Sequence, residues 1–82
     1  MAQKSITILG STGSIGKSTV DIIRREPDKY RVAALTGNQN VSLLAEQAKL
    51  LNAGLAVTAD ETKYAELKEL LSGTTVRVAA GF

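Results

Sequence analysis

The stretch from Ser5 to Thr19, SITILGSTGSIGKST, leaves a chain few ways to fold. It opens with Ile6, Thr7, Ile8 and Leu9, an apolar and β-branched run that reads as a strand. It then breaks into glycine, serine and threonine, and Lys17, Ser18 and Thr19 lead into a helical pattern. Strand, glycine loop and helix, in that order, build a cradle for an anion. The first helical amides lack partners, and the helix dipole is positive at that end.

The rest of the chain repeats the alternation. The first helix is expected from Ser14 or Ile15 to Arg25, with Ile15, Thr19, Ile22 and Ile23 as its apolar face. Pro27 stops it, because residues before proline avoid the helical region. Arg24 and Arg25 suit the negative end of the dipole and read as a solvated last turn. Tyr30–Leu35 reads as a second strand, followed by the turn-rich Thr36–Asn40. A second helix is expected over Val41–Leu51 with Asn40 as its N-cap. Leu55–Thr58 reads as a third strand, Asp60 as the cap of a helix over Lys63–Leu71, and Thr75–Ala79 as a fourth strand. The order β-α-β-α-β-α-β implies an α/β, Rossmann-like parallel sheet with right-handed crossovers. No helix covers the last strand, so residues 1–82 are expected to be the N-terminal part of a larger doubly wound domain.

Composition excludes several function classes. A net charge of +2 weighs against a dedicated nucleic-acid binder. With no Cys and no His, this stretch holds no disulfide, no Cys- or His-based zinc site and no Cys or His catalysis. No apolar run approaches the roughly 18 residues of a membrane span. A strand follows Met1 with no signal segment between, so the cytoplasm is the expected location.

The loop supports three readings. Gly10, Gly13 and Gly16 give G-x-x-G-x-x-G, not the commoner dinucleotide spacing G-x-G-x-x-G. Each glycine still has a physical role. Gly10 allows a sharp exit from the strand, Gly13 allows approach to a pyrophosphate, and Gly16 allows close packing of the helix. Thr12 and Ser14 add hydroxyl donors. A dinucleotide fold also predicts a ribose-binding residue near Thr36–Asn40, and no acid stands there. A carboxylate would repel a 2′-phosphate, so its absence favours NADP, with Gly37, Asn38, Gln39 and Asn40 as neutral donors. The second reading is a P-loop ending in Gly16-Lys17-Ser18, but its first glycine belongs at Ser11, one residue after Gly10. The third is a non-enzymatic α/β scaffold whose loop is only a tight turn.

The run Leu9–Gly16, LGSTGSIG, followed by Ser18-Thr19-Val20-Asp21-Ile22-Ile23, resembles the N-terminus of the 1-deoxy-D-xylulose 5-phosphate reductoisomerases. That family opens with LGSTGSIG, a helix of the type STLDVI, a proline and a strand of the type FRVVAL. Here Pro27 and Tyr30–Leu35 follow in the same order, and Gly37 through Asn40-Val41 matches the loop that ends in Asn-Val. The resemblance implies NADPH binding, with Thr12, Gly13, Ser14 and Ile15 at the phosphates and nearby groups. Gly37, Gln39 and Asn40 would then lie near the adenosine 2′-phosphate. Gln39 stands where members often carry a basic residue. The resemblance further implies a divalent metal, Mn or Mg, a small phosphorylated sugar substrate and a homodimer. The metal ligands and catalytic residues of the family lie in later regions, so none is assigned in this chain. Asp21, Asp28, Asp60, Glu61 and Glu66 read as surface or cap residues.

Overall fold

The computed structural model describes residues 3–81. Strands β1 (Lys4–Ile8), β2 (Tyr30–Gly37), β3 (Leu55–Thr58) and β4 (Arg77–Ala80) alternate with helices α1 (Ser14–Arg24), α2 (Val41–Leu51) and α3 (Tyr64–Leu70). A 3₁₀ turn over Glu61–Lys63 precedes α3. The strands lie in the order β1-β2-β3-β4, and every neighbouring pair is parallel. The Rossmann-like α/β fold expected from the sequence is the fold observed. An order that advances one strand at a time, with right-handed crossovers, puts all three helices on one face of the sheet.

That face holds the core. Ile8, Val32, Leu35 and Ala56 point into it from the sheet, and Val20, Ile23, Leu44, Ala48 and Leu67 meet them from the helices. On the opposite face Ala34, Leu55, Val57 and Ala79 are only half-buried. Val32 and Leu35 are three positions apart, which in a regular strand would send them to opposite faces. The register resolves this: Ile6 pairs with Val32 but Thr7 pairs with Ala34, so Ala33 is an extra residue in β2. The bulge turns both Val32 and Leu35 toward the helices, where they are 3% and 0% exposed.

Helix α2 and strand β3 have the limits expected of them, and the Asn40 side chain caps α2 by accepting from the Leu43 amide at 3.2 Å. Other elements differ. Leu9 falls outside β1 and is largely exposed. On α1 the expected apolar face is corrected: Ile15 and Ile22 are 83% and 61% exposed, and Gly16, Val20 and Ile23 face the core. Strand β2 runs two residues beyond Leu35, because Thr36 and Gly37 pair with Val57 and Thr58. Asp60 caps the 3₁₀ turn, accepting from the Thr62 amide, and α3 begins only at Tyr64. Strand β4 begins two residues later than expected. The Thr74 hydroxyl donates to the Leu71 carbonyl and accepts from the Val76 amide, which holds the chain in a turn up to Val76.

Candidate functional site at the carboxyl ends of the strands

The loops that follow β1, β2 and β3 all leave the sheet at the carboxyl ends of their strands. In open α/β sheets that is the edge where ligands bind. The first loop begins with Gly10 at φ +67°, a left-handed conformation that glycine adopts without strain. Its amide donates to the Thr36 hydroxyl at 2.9 Å, and the next amide, of Ser11, donates to the Thr36 carbonyl at 2.8 Å. One residue at the end of β2 therefore holds two consecutive amides of the loop. The Gly13 amide turns back to the Gly10 carbonyl at 3.0 Å and closes the bend.

The first bond within α1 runs from the Lys17 amide to the Gly13 carbonyl at 2.8 Å. The amides of Ser14, Ile15 and Gly16 come before it and are the orphan donors of the helix start. No side chain caps this end, and the first turn carries no acidic residue. Helix α2 differs in this respect, since Asn40 occupies its N-terminus. The start of α1 is thus an uncapped, dipole-positive end reached through a glycine loop, a geometry suited to a phosphate group.

The three glycines act differently. A β-carbon on Gly16 would lie 2.1 Å from the Gly10 carbonyl oxygen and 2.6 Å from Ser11 Cα, so only glycine lets α1 seat on the loop. Gly13 has an ordinary extended backbone, φ −76° and ψ 171°, and a β-carbon there would meet only the Gly10 carbonyl, at 3.4 Å. A β-carbon at Gly13 would therefore make only ordinary contact with the loop, unlike one at Gly16.

The second loop stands beside the first. Gly37 is buried, and a β-carbon on it would come 3.3 Å from Thr12 Cγ2, so the ends of β1 and β2 are in contact through these two residues. The Thr58 hydroxyl donates to the Asn38 carbonyl and accepts from the Asp60 amide, tying this loop to the end of β3. Asn38 and Gln39 are exposed and, with Ala59 and Asp60, line a shallow depression. The Asn40 Oδ1 is engaged by the Leu43 amide, which leaves Nδ2 to other partners. Thr12 and Gly37 meet; Gly13, Ser14 and Ile15 follow at the start of α1; Gln39 and Asn40 lie in the neighbouring loop.

Asp60 is held below the usual carboxylate range, chiefly by the Thr62 hydroxyl and then by the Thr62 amide, with Lys63 adding to the effect. Among the described residues, no three His, Cys, Asp or Glu side chains are grouped to hold a metal ion, and no helix is long and apolar enough to cross a membrane. A second cleft lies at the amino ends of the strands, between Pro27, Tyr30, Leu50 and Asn52. Arg24 on its rim is already paired with Asp21.

Two residues that hold the loop, Thr36 and Gln47, lie outside the glycine motif, and the motif gives no hint of what the buried Ser11 bonds to. Thr36, Ser11 and Gln47 form the scaffold beneath the loop, and their bonds join positions 25 to 36 residues apart. Only the general rule that a buried polar side chain needs a partner points to Gln47 on the inner face of α2.

A family model described as 1-deoxy-D-xylulose 5-phosphate reductoisomerase matches residues 6–82. The chain is 59% identical over 81 residues to the enzyme of that name from Rhizobium meliloti, and 57% identical over 79 residues to that from Gluconobacter oxydans. It covers 96% of itself in both matches and 21% and 19% of those relatives, so it spans about a fifth of their length. Among solved structures, the Zymomonas mobilis reductoisomerase in complex with NADPH superposes with a TM-score of 0.96 at 52% identity. That match covers 98% of this chain and 21% of the other. A reductoisomerase in complex with NADPH, fosmidomycin and magnesium superposes with a TM-score of 0.87 at 38% identity, over 95% of this chain and 19% of the other.

Proposed function

Because the chain belongs to the 1-deoxy-D-xylulose 5-phosphate reductoisomerase family, we propose that it forms the N-terminal part of that enzyme's NADPH-binding domain. The observation that carries this reading is the uncapped start of α1 behind a loop whose first two amides are already held by Thr36. The pyrophosphate sits at the Thr12–Ile15 turn, where the amides of Ser14 and Ile15 and the hydroxyls of Thr12 and Ser14 donate to it. Gly13 lets it approach the backbone. The exposed Ile15 side chain offers an apolar surface to the cofactor. Gly37, Gln39 and the Asn40 Nδ2 receive the adenosine ribose and its 2′-phosphate through neutral hydrogen bonds.

The reaction of the whole protein is a rearrangement of 1-deoxy-D-xylulose 5-phosphate followed by hydride transfer from NADPH. It yields 2-C-methyl-D-erythritol 4-phosphate, on the non-mevalonate route to isoprenoids. Residues 1–82 hold the hydride donor; they do not handle the sugar phosphate. A divalent metal, Mn or Mg, would be held by residues of the whole protein outside this stretch and would supply Lewis-acid polarisation of the substrate oxygens. The protein acts as a cytoplasmic homodimer. Incubating the full-length protein with NADPH, the sugar phosphate and Mn or Mg tests the reading: NADPH consumption with formation of the methylerythritol phosphate supports it. Absence of turnover with every divalent metal sinks it.

A further inference from the structure

Gln47 occupies a position on α2 that packing alone would give to a leucine or methionine. It is 5% exposed, yet only half of its amide is satisfied. Its Nε2 donates to the Ser11 carbonyl at 2.8 Å, and its Oε1 has no partner. The opposite amide orientation would set two acceptors against each other. Ser11 is itself fully buried, and its Oγ is also unpartnered. A half-satisfied buried amide is less favourable than an apolar side chain of similar length. The bond to Ser11 therefore supplies something that packing does not.

What it supplies follows from the planar peptide. The C=O and N–H of a trans unit point in opposite directions. With the Ser11 carbonyl drawn toward α2, the Thr12 amide is turned away from α2, toward the open side of the loop. The preceding peptide is fixed from both ends, by Ser11 N–H to the Thr36 carbonyl and by the Gly10 carbonyl receiving the Gly13 amide. Gly16 closes the remaining side, since its β-carbon position lies 2.7 Å from the Ser11 carbonyl carbon. Of these contacts, only the bond from Gln47 sets the direction of the peptide between Ser11 and Thr12.

We propose that Gln47 is a positioning residue for the cofactor: it orients the Ser11–Thr12 peptide so that the Thr12 amide donates to the dinucleotide phosphates. This rests on the loop being the NADPH site. The test compares NADPH affinity and thermal stability of the full-length protein with its Gln47→Met, Gln47→Glu, Leu67→Ala and Gly13→Val variants. Gln47→Met keeps the length and loses the donor, and Gln47→Glu sets a carboxylate against the Ser11 carbonyl. Both are expected to weaken NADPH roughly three- to tenfold and to raise its KM, with the KM for the sugar phosphate unmoved. Leu67, fully buried on the inner face of α3, lowers Tm when cut to Ala without weakening NADPH. Unchanged NADPH affinity in both Gln47 variants, with affinity lost in Gly13→Val, overturns the positioning role and leaves the site standing. Unchanged affinity in Gly13→Val as well removes the site and this inference with it.

Discussion

Gly16 lies so close to the carbonyl of Gly10 that a β-carbon on it would come within 2.1 Å of that oxygen. The neighbouring atoms are all backbone and cannot swing aside. Helix α1 sits on the loop because nothing intervenes, and its open N-terminus is aimed by this contact. Gly16→Ala must push α1 off the loop, with an expected destabilisation of about 1–3 kcal/mol in a chemical or thermal melt, together with weaker NADPH binding. A variant as stable as the parent would show that α1 can shift without cost.

Gly13→Val separates fold from binding. The backbone there is ordinary and a β-carbon would make only ordinary contact, so the stability cost is expected to be that of losing glycine at the helix N-cap, about 1 kcal/mol or less. The new side chain stands where the pyrophosphate approaches, and NADPH affinity is expected to fall by about tenfold or more. Thermal melts and cofactor titration of the same preparation check both halves. Loss of stability with unchanged affinity would reverse the roles assigned to Gly13 and Gly16.

Thr36 holds the loop through its hydroxyl, so Thr36→Val, which keeps the shape and removes the acceptor, strands the Gly10 amide. The expected loss is about 1 kcal/mol of stability together with weaker NADPH binding, and Thr36→Ser restores both. Equal melts for the Val and Ser variants would assign the hydroxyl no part in holding the loop.

The alternation of strands and helices was legible in the residues because apolar runs, Pro27 and Asn40 punctuate it. The helix face of α1 was not. Its buried stripe begins with Gly16, which contributes nothing to a hydrophobic pattern, while the more apolar Ile15 and Ile22 point outward. The bulge at Ala33 was hidden because strand reading assumes a period of two, and the extra residue breaks it. Within the site, the glycine loop and Asn40 were legible as local motifs. The bonds from Thr36 and Gln47 were not, because they join residues brought together only by the parallel sheet and its crossovers.

Gln39 tests the 2′-phosphate end of the site. It is exposed in the loop beside the end of β3 and carries no charge. Gln39→Arg is expected to raise the preference for NADPH over NADH, through a charge-assisted bond to the phosphate, and Gln39→Glu to lower it by repulsion. Paired titrations with the two cofactors measure the ratio. A ratio that moves in neither variant would place the 2′-phosphate away from this loop.

Asp60 gives a pH signature. Its carboxylate is favoured in the folded chain by the Thr62 hydroxyl and amide, so its folded value lies below its unfolded one. Stabilisation by Asp60 is therefore fully present above the ordinary aspartate value near 3.9 and is lost as pH falls through the lowered one. Asp60→Asn is expected to be less stable than the parent at neutral pH, with the gap closing below about pH 4. Melts from pH 7 to pH 3 check the sign; a gap that widens in acid would contradict it.

The most direct measurement is a titration of the full-length protein with NADPH, NADH and magnesium ATP, each followed to saturation. NADPH is expected to bind most tightly and NADH more weakly, with ATP weaker than both and Lys17→Ala leaving the order unchanged. Tightest binding of magnesium ATP, abolished by Lys17→Ala, would make the loop a triphosphate site and contradict its assignment to NADPH.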